Sequence, residues 1–470
     1  MRSLLGRRHR SFARGVVNNI MLGNNIAGNQ LSISGFAGSD LARNILRTAD
    51  SNADSVDILT IGDSNIGFNE YGYAGGIYKA MQPLCSEYAT GILPSALSGG
   101  SASFTGTILG DGLTLSYISN NEASASGSGA QIKLLVTEAG TNSTAAQITT
   151  ALGMNLSLLP SVLGDAKTYQ GVYLDSDINT TTKIWTSAAN KNCIIFGASG
   201  CPMNVANASM QSRIVHGKFS TGSGSFKHIT WPTVNSSSSV LTSGGPSVTT
   251  STWPFTAPAS GSYRVGWDGF SQGASFYPTG PIAVILQSVI RLSTKGFAHT
   301  NVMRDPGKTT TQLADRIEAM DKLLDEYLRE SRDRQIAAGG SGNVVVATCS
   351  GINGTETASS FIANTQRIVD RVRLRWAAIG GDMNKLAFIV IPTHPVTTVI
   401  NQWLTDRAAI VSAANAWAAT QPGVCVHDIA VPYPGATILA NGWYDAGGQA
   451  HLTQTGYSTI SANCINTLVA

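Results

Sequence analysis

At 470 residues the chain exceeds the ~250–300 that one hydrophobic core ordinarily serves, so more than one folded unit is expected. Hydrophobic residues make up 43% and charged ones only 13%, which excludes a globally disordered chain, and 50 glycines suit turn-rich β structure. Net charge is +3, but five of the 31 basic residues (Arg2, Arg7, Arg8, Arg10, Arg14) lie in the first 14 positions. That leaves 26 against 28 acidic ones, a near-neutral body in which nothing suggests nucleic-acid binding.

Residues 1–50 read as a basic arm or docking segment with Asn- and Gly-rich sequence behind it. Ser39 to Thr48 forms a short helix in this reading, with Leu41, Ile45 and Leu46 on one side. The arginines run through the place of a signal-peptide apolar core, so no secretory signal is expected. No stretch approaches the ~20 apolar residues of a membrane span.

Val56 to Ile61 is a short, mostly β-branched run, which predicts a strand buried on both faces. It stops at Gly62-Asp63-Ser64-Asn65, and Ala74 to Tyr88 predicts the helix that follows. Open α/β sheets bind ligands just outside the carboxyl ends of their strands. A serine there can lie near helix N–H groups that favour a developing oxyanion, while Asp63 or Ser64 can equally cap the helix.

From Leu97 the texture changes to some 200 residues rich in Ser, Thr, Gly and Asn. Gln131 to Val136, Gly171 to Leu174, Lys183 to Trp185, Cys193 to Phe196, Arg213 to Phe219 and Tyr263 to Trp267 read as short strands. Asn235 to Thr252 reads as a loop. This density of strands predicts a sandwich or jelly roll over residues 95–294.

From about Lys295 strands and helices alternate again. Thr309 to Ala338 predicts a long amphipathic helix, Phe361 to Ile379 and Thr398 to Thr420 two more, and Thr453 to Val469 the last. Val344 to Thr348, Leu386 to Ile391 and Val424 to Ile429 predict buried strands. The pattern is that of an α/β fold with a doubly wound parallel sheet. The sheet domain is split into residues 51–94 and 295–470 by the inserted β-rich module.

The six cysteines lack zinc-type spacing; Cys193 and Cys201 can close one disulfide or remain thiols. His216, His228 and His299 have no acidic clusters beside them, so neither a metal nor another cofactor is expected. Trp185, Trp231, Trp253 and Trp267 can serve as core or as platforms for sugars.

Acyl transfer needs a nucleophile, a base, a group orienting the base, and donors at the oxyanion. His451, in Asp445-Ala446-Gly447-Gly448-Gln449-Ala450-His451-Leu452-Thr453, stands before the final helix with an acid nearby. His427-Asp428 forms a rival pair, but adjacent residues in extended chain point apart. His394 follows a strand at the same sheet edge and is a candidate to line a substrate cleft.

Gly62-Asp63-Ser64 and His451-Leu452-Thr453 resemble the first and last blocks of the SGNH (GDSL-type) hydrolases. Gly307, running into a helix, and Asn353 in Gly351-Ile352-Asn353, after a strand, resemble the two middle blocks in the right order. The resemblance covers roughly residues 50–93 and 295–470 and implies a flavodoxin-like sheet. It also implies Ser64 as nucleophile, His451 as base, and an oxyanion hole of the Ser64 N–H, the Gly307 N–H and the Asn353 amide. The family usually places its aspartate three residues before the histidine, where this chain has Gly448. Asp445, six before, is the expected orienter, with a carbonyl-oriented Ser-His dyad as the alternative. Gly354 stands where the family often has aspartate.

The function implied is a serine esterase removing O-acetyl groups from a polysaccharide, without a cofactor. The basic arm, low charge and Gly/Ser/Asn-rich β structure resemble a bacteriophage tail-fibre or spike protein. In that setting residues 1–50 dock to the virion and the chain forms a homo-oligomer. A secreted or cell-surface bacterial esterase or lipase is one alternative. A non-catalytic glycan-binding virion protein on the same fold is the other.

Overall fold

A computed structural model describes residues 30–85, 295–397 and 403–470 apart from 32, 52, 67–71, 305–306, 320 and 447–448; between 88 and 291 it describes the backbone of the strands named below. Its centre is a seven-stranded sheet. The strands are β1 (Phe36–Gly38), β2 (Ser55–Gly62), β3 (Tyr88–Thr90), β4 (Gly296–Arg304), β5 (Asn343–Ser350), β6 (Leu386–Pro392) and β7 (Val424–His427). The spatial order is β1-β7-β6-β5-β2-β4-β3. All neighbours are parallel except β1, which runs antiparallel to β7.

The helices are α1 (Leu41–Asp50), α2 (Gly72–Met81), α3 (Thr310–Ala319), α4 (Asp321–Ala337), α5 (Ala358–Ala378), α6 (Trp403–Ala418), α7 (Gly435–Ala440) and α8 (Gln454–Val469). They cover both faces because the strands are apolar on both. Along β5, Val345, Ala347 and Cys349 enter one core while Val344 and Val346 enter the other. On β6, Ala387, Ile389 and Ile391 join the first core, and Leu386, Phe388 and Val390 the second. A period of two with both faces apolar is what a strand covered on both sides requires. The first core takes α1, α2 and α8; the second takes residues of α3, α4, α5 and α6.

Several expectations need correction. The second half of the expected arm is part of the fold: β1 pairs with β7, and Leu31, Phe36, Ile45 and Leu46 are buried in the first core. Residues 1–29 lie outside the described residues. The helix expected to reach Tyr88 ends at Met81, followed by a 3-10 turn over Gln82–Leu84. Pro83 supplies no N–H to continue it. The helix expected over Thr309 to Ala338 is described as helix over Thr310–Ala319 and Asp321–Ala337, with residue 320 outside the described residues. Strand β4 was not anticipated: Gly296–Arg304 is broken by His299 and Asn301, yet it pairs parallel with β2.

The β-rich residues form antiparallel sheets. One has six strands in the order Asn235–Leu241, Gly224–Trp231, Tyr263–Asp268, Asn192–Ala198, Leu113–Ser119, Thr105–Ile108. Another joins Ser247–Thr256, Ser209–Lys218, Ile282–Arg291 and Ile92–Pro94, with Val136–Thr137 also against Ile282–Arg291. Ile92–Pro94 thus already belongs to this second sheet, so the change of sheet falls before residue 92 rather than after 94. The loop expected over Asn235 to Thr252 is largely strand. Backbone pairing needs no apolar side chains, and Val248, Thr249, Thr250 and Thr252 are β-branched. The strands expected at 171–174 and 183–185, the Cys193–Cys201 bridge and the four tryptophan side chains lie outside what is described.

One buried ion pair ties the second core together. Arg334 of α4 donates to Asp57 of β2, with side chains 4% and 1% exposed. Burial raises the Asp57 pKa, and the guanidinium pulls against that rise. Arg334→Met is expected to cost about 3–5 kcal/mol in urea unfolding, while the double change with Asp57→Leu recovers most of it.

Candidate active site

β2 ends at Gly62 against β5, where an added Cβ would stand 2.2 Å from the Cys349 carbonyl oxygen; only glycine fits. The Asp63 N–H donates to that carbonyl at 3.0 Å, which fixes the exit of the chain toward Ser64. Asp63 Oδ1 then accepts from the Asn65 N–H at 2.9 Å, closing a local turn. Ser64 sits on this turn at the carboxyl end of β2, 5% exposed.

Complete burial pushes the Asp63 carboxyl up to about 6, against the bonds from Asn65 and the Ile352 backbone. A carboxyl raised from 3.8 contributes stability that is complete below about 3.8 and is lost as pH rises through about 6. Asp63→Asn is therefore expected to gain up to about 3 kcal/mol relative to wild type between pH 4 and 6, with no further gain above. Thermal unfolding of both proteins across that range checks it.

The segment after Ser64 folds back on α2. The Tyr73 N–H donates to the Asn65 carbonyl at 3.0 Å and the Ala74 N–H to Ile66 at 2.7 Å. The Tyr73 and Ala74 donors are thus taken by the chain itself and are not open to an oxyanion beside Ser64. Instead α2 anchors the turn to α8: Tyr457 Oη donates to Asn65 Oδ1 at 2.6 Å, and Ser461 Oγ to the Tyr73 carbonyl at 3.3 Å.

Asp445 and His451 meet although six residues apart. The Asp445 N–H donates to the His451 carbonyl at 3.2 Å, and the Thr453 N–H donates to Trp443 at 2.6 Å. Tyr444 and Leu452 form an antiparallel bridge between them. Asp445 and His451 are thus opposite each other on a small hairpin, where cross-strand side chains are neighbours. Asp445 Oδ2 lies 3.9 Å from His451 Nδ1, each side chain about a third exposed. α8 follows at once, capped by Thr453 Oγ1 on the Gly456 N–H at 3.3 Å.

Gly307 has φ +74, a left-handed backbone that favours glycine, and a Cβ there would meet nothing within 4 Å. Asn353 Nδ2 donates to the Lys308 carbonyl at 3.3 Å, bringing that amide to the Gly307 loop. Glu356, 4% exposed, holds the start of α3: it accepts from the Thr310 N–H at 3.0 Å and the Thr310 hydroxyl at 2.7 Å. Burial raises its pKa despite those bonds. Ile352 reaches Asp63, so the Asn353 loop borders both the Ser64 turn and the Gly307 loop.

The other histidines divide clearly. His394 is completely buried and lies between Tyr73 and Gln449, beneath the His451 hairpin, so it does not line an open cleft as expected. Desolvation lowers it to about 4. His427 is buried and stacked on Phe36 at 4.6 Å, while its neighbour Asp428 pairs with Arg407 at 3.1 Å; they form no pair of their own. His299 is buried within the sheet and lowered to about 3 by desolvation. Sequence reasoning missed Gln449 and Glu356; neither carries a local signal, since both act through partners distant in sequence. Among the described residues no group of three or more His, Cys, Asp or Glu is placed to hold a metal ion. Among them too, no helix is long and apolar enough to cross a membrane.

No protein-family model matches the sequence, and no curated protein matches it. Among solved structures the chain is similar to a family two carbohydrate esterase from Clostridium thermocellum in complex with cellohexaose. Identity is 9% and the TM-score 0.22, over 59% of this chain and 93% of that one. It is also similar to a Corynascus thermopiles (Myceliophthora fergusii) carbohydrate esterase family 2 enzyme plus carbohydrate binding domain. There the values are 8% and 0.24, over 59% and 94%. The enzymatically active domain of bacteriophage CBA120 tailspike protein 4 matches at 12% and 0.15, over 22% of this chain and 14% of that one. At these TM-scores the likenesses establish neither a shared site nor a shared substrate.

Proposed function

We propose that the chain is an SGNH-type serine esterase on a flavodoxin-like, doubly wound sheet, with a sandwich-like β-rich module inserted from about residue 92 to 294. The observation that supports this reading is the hairpin that sets Asp445 opposite His451 just before α8, the helix whose Tyr457 bonds to Asn65 beside Ser64. In this reading Ser64 Oγ attacks the ester carbonyl. His451 Nδ1 faces Asp445, which leaves Nε2 to take the serine proton and return it to the departing alcohol. Asp445 stabilises the imidazolium. The Ser64 N–H, the Gly307 N–H and the Asn353 amide receive the oxyanion. Water, activated by the same imidazole, then releases the acid.

The substrate we propose is an O-acetyl group on a surface polysaccharide. The sequence has no long apolar lid of the kind a lipid substrate favours, and a β-rich module suits the remote binding that positions a glycan. The setting we propose is a phage particle, supported by the arginine-rich first 14 residues and the Gly/Ser/Asn-rich β sequence. Mass spectrometry of purified particles against culture supernatant separates this from a secreted enzyme.

A non-catalytic glycan-binding role is favoured by one observation: 3.9 Å from Asp445 to His451 is longer than a hydrogen bond. The deciding experiment is hydrolysis of a short aryl ester, and acetate release from an O-acetylated polysaccharide, by wild type and Ser64→Ala. Turnover lost with Ser64 supports the esterase. Turnover unchanged in the variant, or absent from wild type, rejects it.

A further inference from the structure

His394 stands between the two halves of the proposed site. A carbonyl can only accept, so the 3.0 Å contact from His394 Nε2 to the Gln449 carbonyl places the ring proton on Nε2. Nδ1 is then the acceptor, and Tyr73 Oη donates to it at 3.4 Å. Tyr73 lies on α2, the helix after Ser64; Gln449 lies in the turn of the hairpin that carries His451. One buried ring therefore touches the nucleophile's helix and the base's loop.

The turn is held to the same segment elsewhere. Gln449 uses both ends of its side-chain amide on Thr397: Oε1 accepts from the Thr397 N–H, and Nε2 donates to Thr397 Oγ1 at 2.6 Å. Tyr444, beside Asp445, donates its hydroxyl to the Pro395 carbonyl at 2.7 Å. The 393–397 segment is fixed from below, since Arg407 Nε donates to the Thr393 carbonyl at 2.9 Å and Arg407 also pairs with Asp428 at 3.1 Å. A hairpin this short has few contacts of its own, so its position is set by what it is pinned to.

We propose that His394 is a positioning residue: with Gln449 and Thr397 it clamps the His451 hairpin onto the end of β6 and registers it against α2. Its consequence for catalysis rests on the esterase reading above; the clamp itself does not. His394 is enclosed and touches the hairpin's backbone, so it acts through His451 rather than on substrate.

The test compares His394→Phe, which keeps the ring and loses both nitrogens, with His394→Gln, whose amide can still donate to the Gln449 carbonyl. The readouts are steady-state kinetics on a short aryl ester and the imidazole carbon–proton NMR signal of His451, assigned by its loss in His451→Ala, in the full chain. His394→Phe is expected to lower kcat at least 10-fold with KM within 2-fold, and to broaden or split the His451 signal. His394→Gln restores both. In a His451→Ala background His394→Phe is expected to change the residual rate by less than 2-fold, which a general loss of folding would not produce. A single, unshifted His451 signal in a folded His394→Phe overturns the clamp, whatever the rates. A perturbed signal in a chain whose wild type hydrolyses no ester upholds the clamp and removes the esterase reading instead.

Discussion

Ser64→Ala is expected to lower kcat on a short aryl ester by about 10⁴- to 10⁶-fold, with His451→Ala falling in the same range and the double variant no lower than either. The two act as one unit, because a serine hydroxyl without a base is a weak nucleophile and a base without the hydroxyl has nothing to activate. Asp445→Asn is a sharper probe of the geometry. A carboxylate about 4 Å from an imidazolium is worth ~4 kcal/mol at an effective dielectric constant of 20. Both side chains are about a third exposed, so screening reduces this. A fall of about 10- to 100-fold follows, well short of the ~10⁴ seen where the acid is buried and hydrogen-bonded. A fall near 10⁴ would mean that the pair tightens on substrate binding; no fall would assign the orienting role to a carbonyl. Stopped-flow measurement of acylation in each variant separates the outcomes.

Asn353→Ala is expected to lower kcat by about 10²- to 10³-fold with little change in KM, the loss of one oxyanion donor. Its amide already rests on the Lys308 carbonyl at 3.3 Å, a long bond that leaves its second hydrogen to a ligand. Gly307→Ala should behave differently. No atom obstructs the added methyl, so the cost is confined to holding alanine at φ +74, roughly 1–2 kcal/mol. The donor there is backbone and survives the substitution. A small stability loss with kcat within about 10-fold is the expected result. An Asn353→Ala enzyme with full kcat would remove Asn353 from the oxyanion hole.

The central sheet was legible wherever strands were continuously apolar. Val344 to Thr348 and Leu386 to Ile391 are buried on both faces, and such runs have few other uses. β1 was not legible because it has three residues and is made a strand by Val426, nearly 400 positions later. The Ser-rich strand at Asn235–Leu241 was hidden likewise: its sequence reads as linker until a partner strand exists. At the candidate site the motifs pointed to Ser64, Gly307, Asn353 and His451, since each follows a strand or opens a helix. The six-residue gap from Asp445 to His451 fits no helical or loop spacing. It makes sense only as a hairpin, and the bridge between Tyr444 and Leu452 has no sequence signature. Gln449 was opaque for the same reason, and His394, though singled out in the sequence, was given the wrong role: their chemistry lies in whom they touch.

The pairing of β1 with β7 also sets a timetable for biogenesis. Phe36 faces His427, so the first strand has no edge to join until the ribosome has passed Val424. At 5–20 residues per second that is a wait of about 20 to 80 s. During it Phe36, Ile45 and Leu46, all buried in the finished protein, lack the β7 and α8 surfaces that cover them. The antiparallel hairpins of the β-rich region close over far shorter separations in the meantime. Ribosome-bound chains halted before Val424 should therefore be cut by protease between residues 30 and 50, while the released full-length chain resists there.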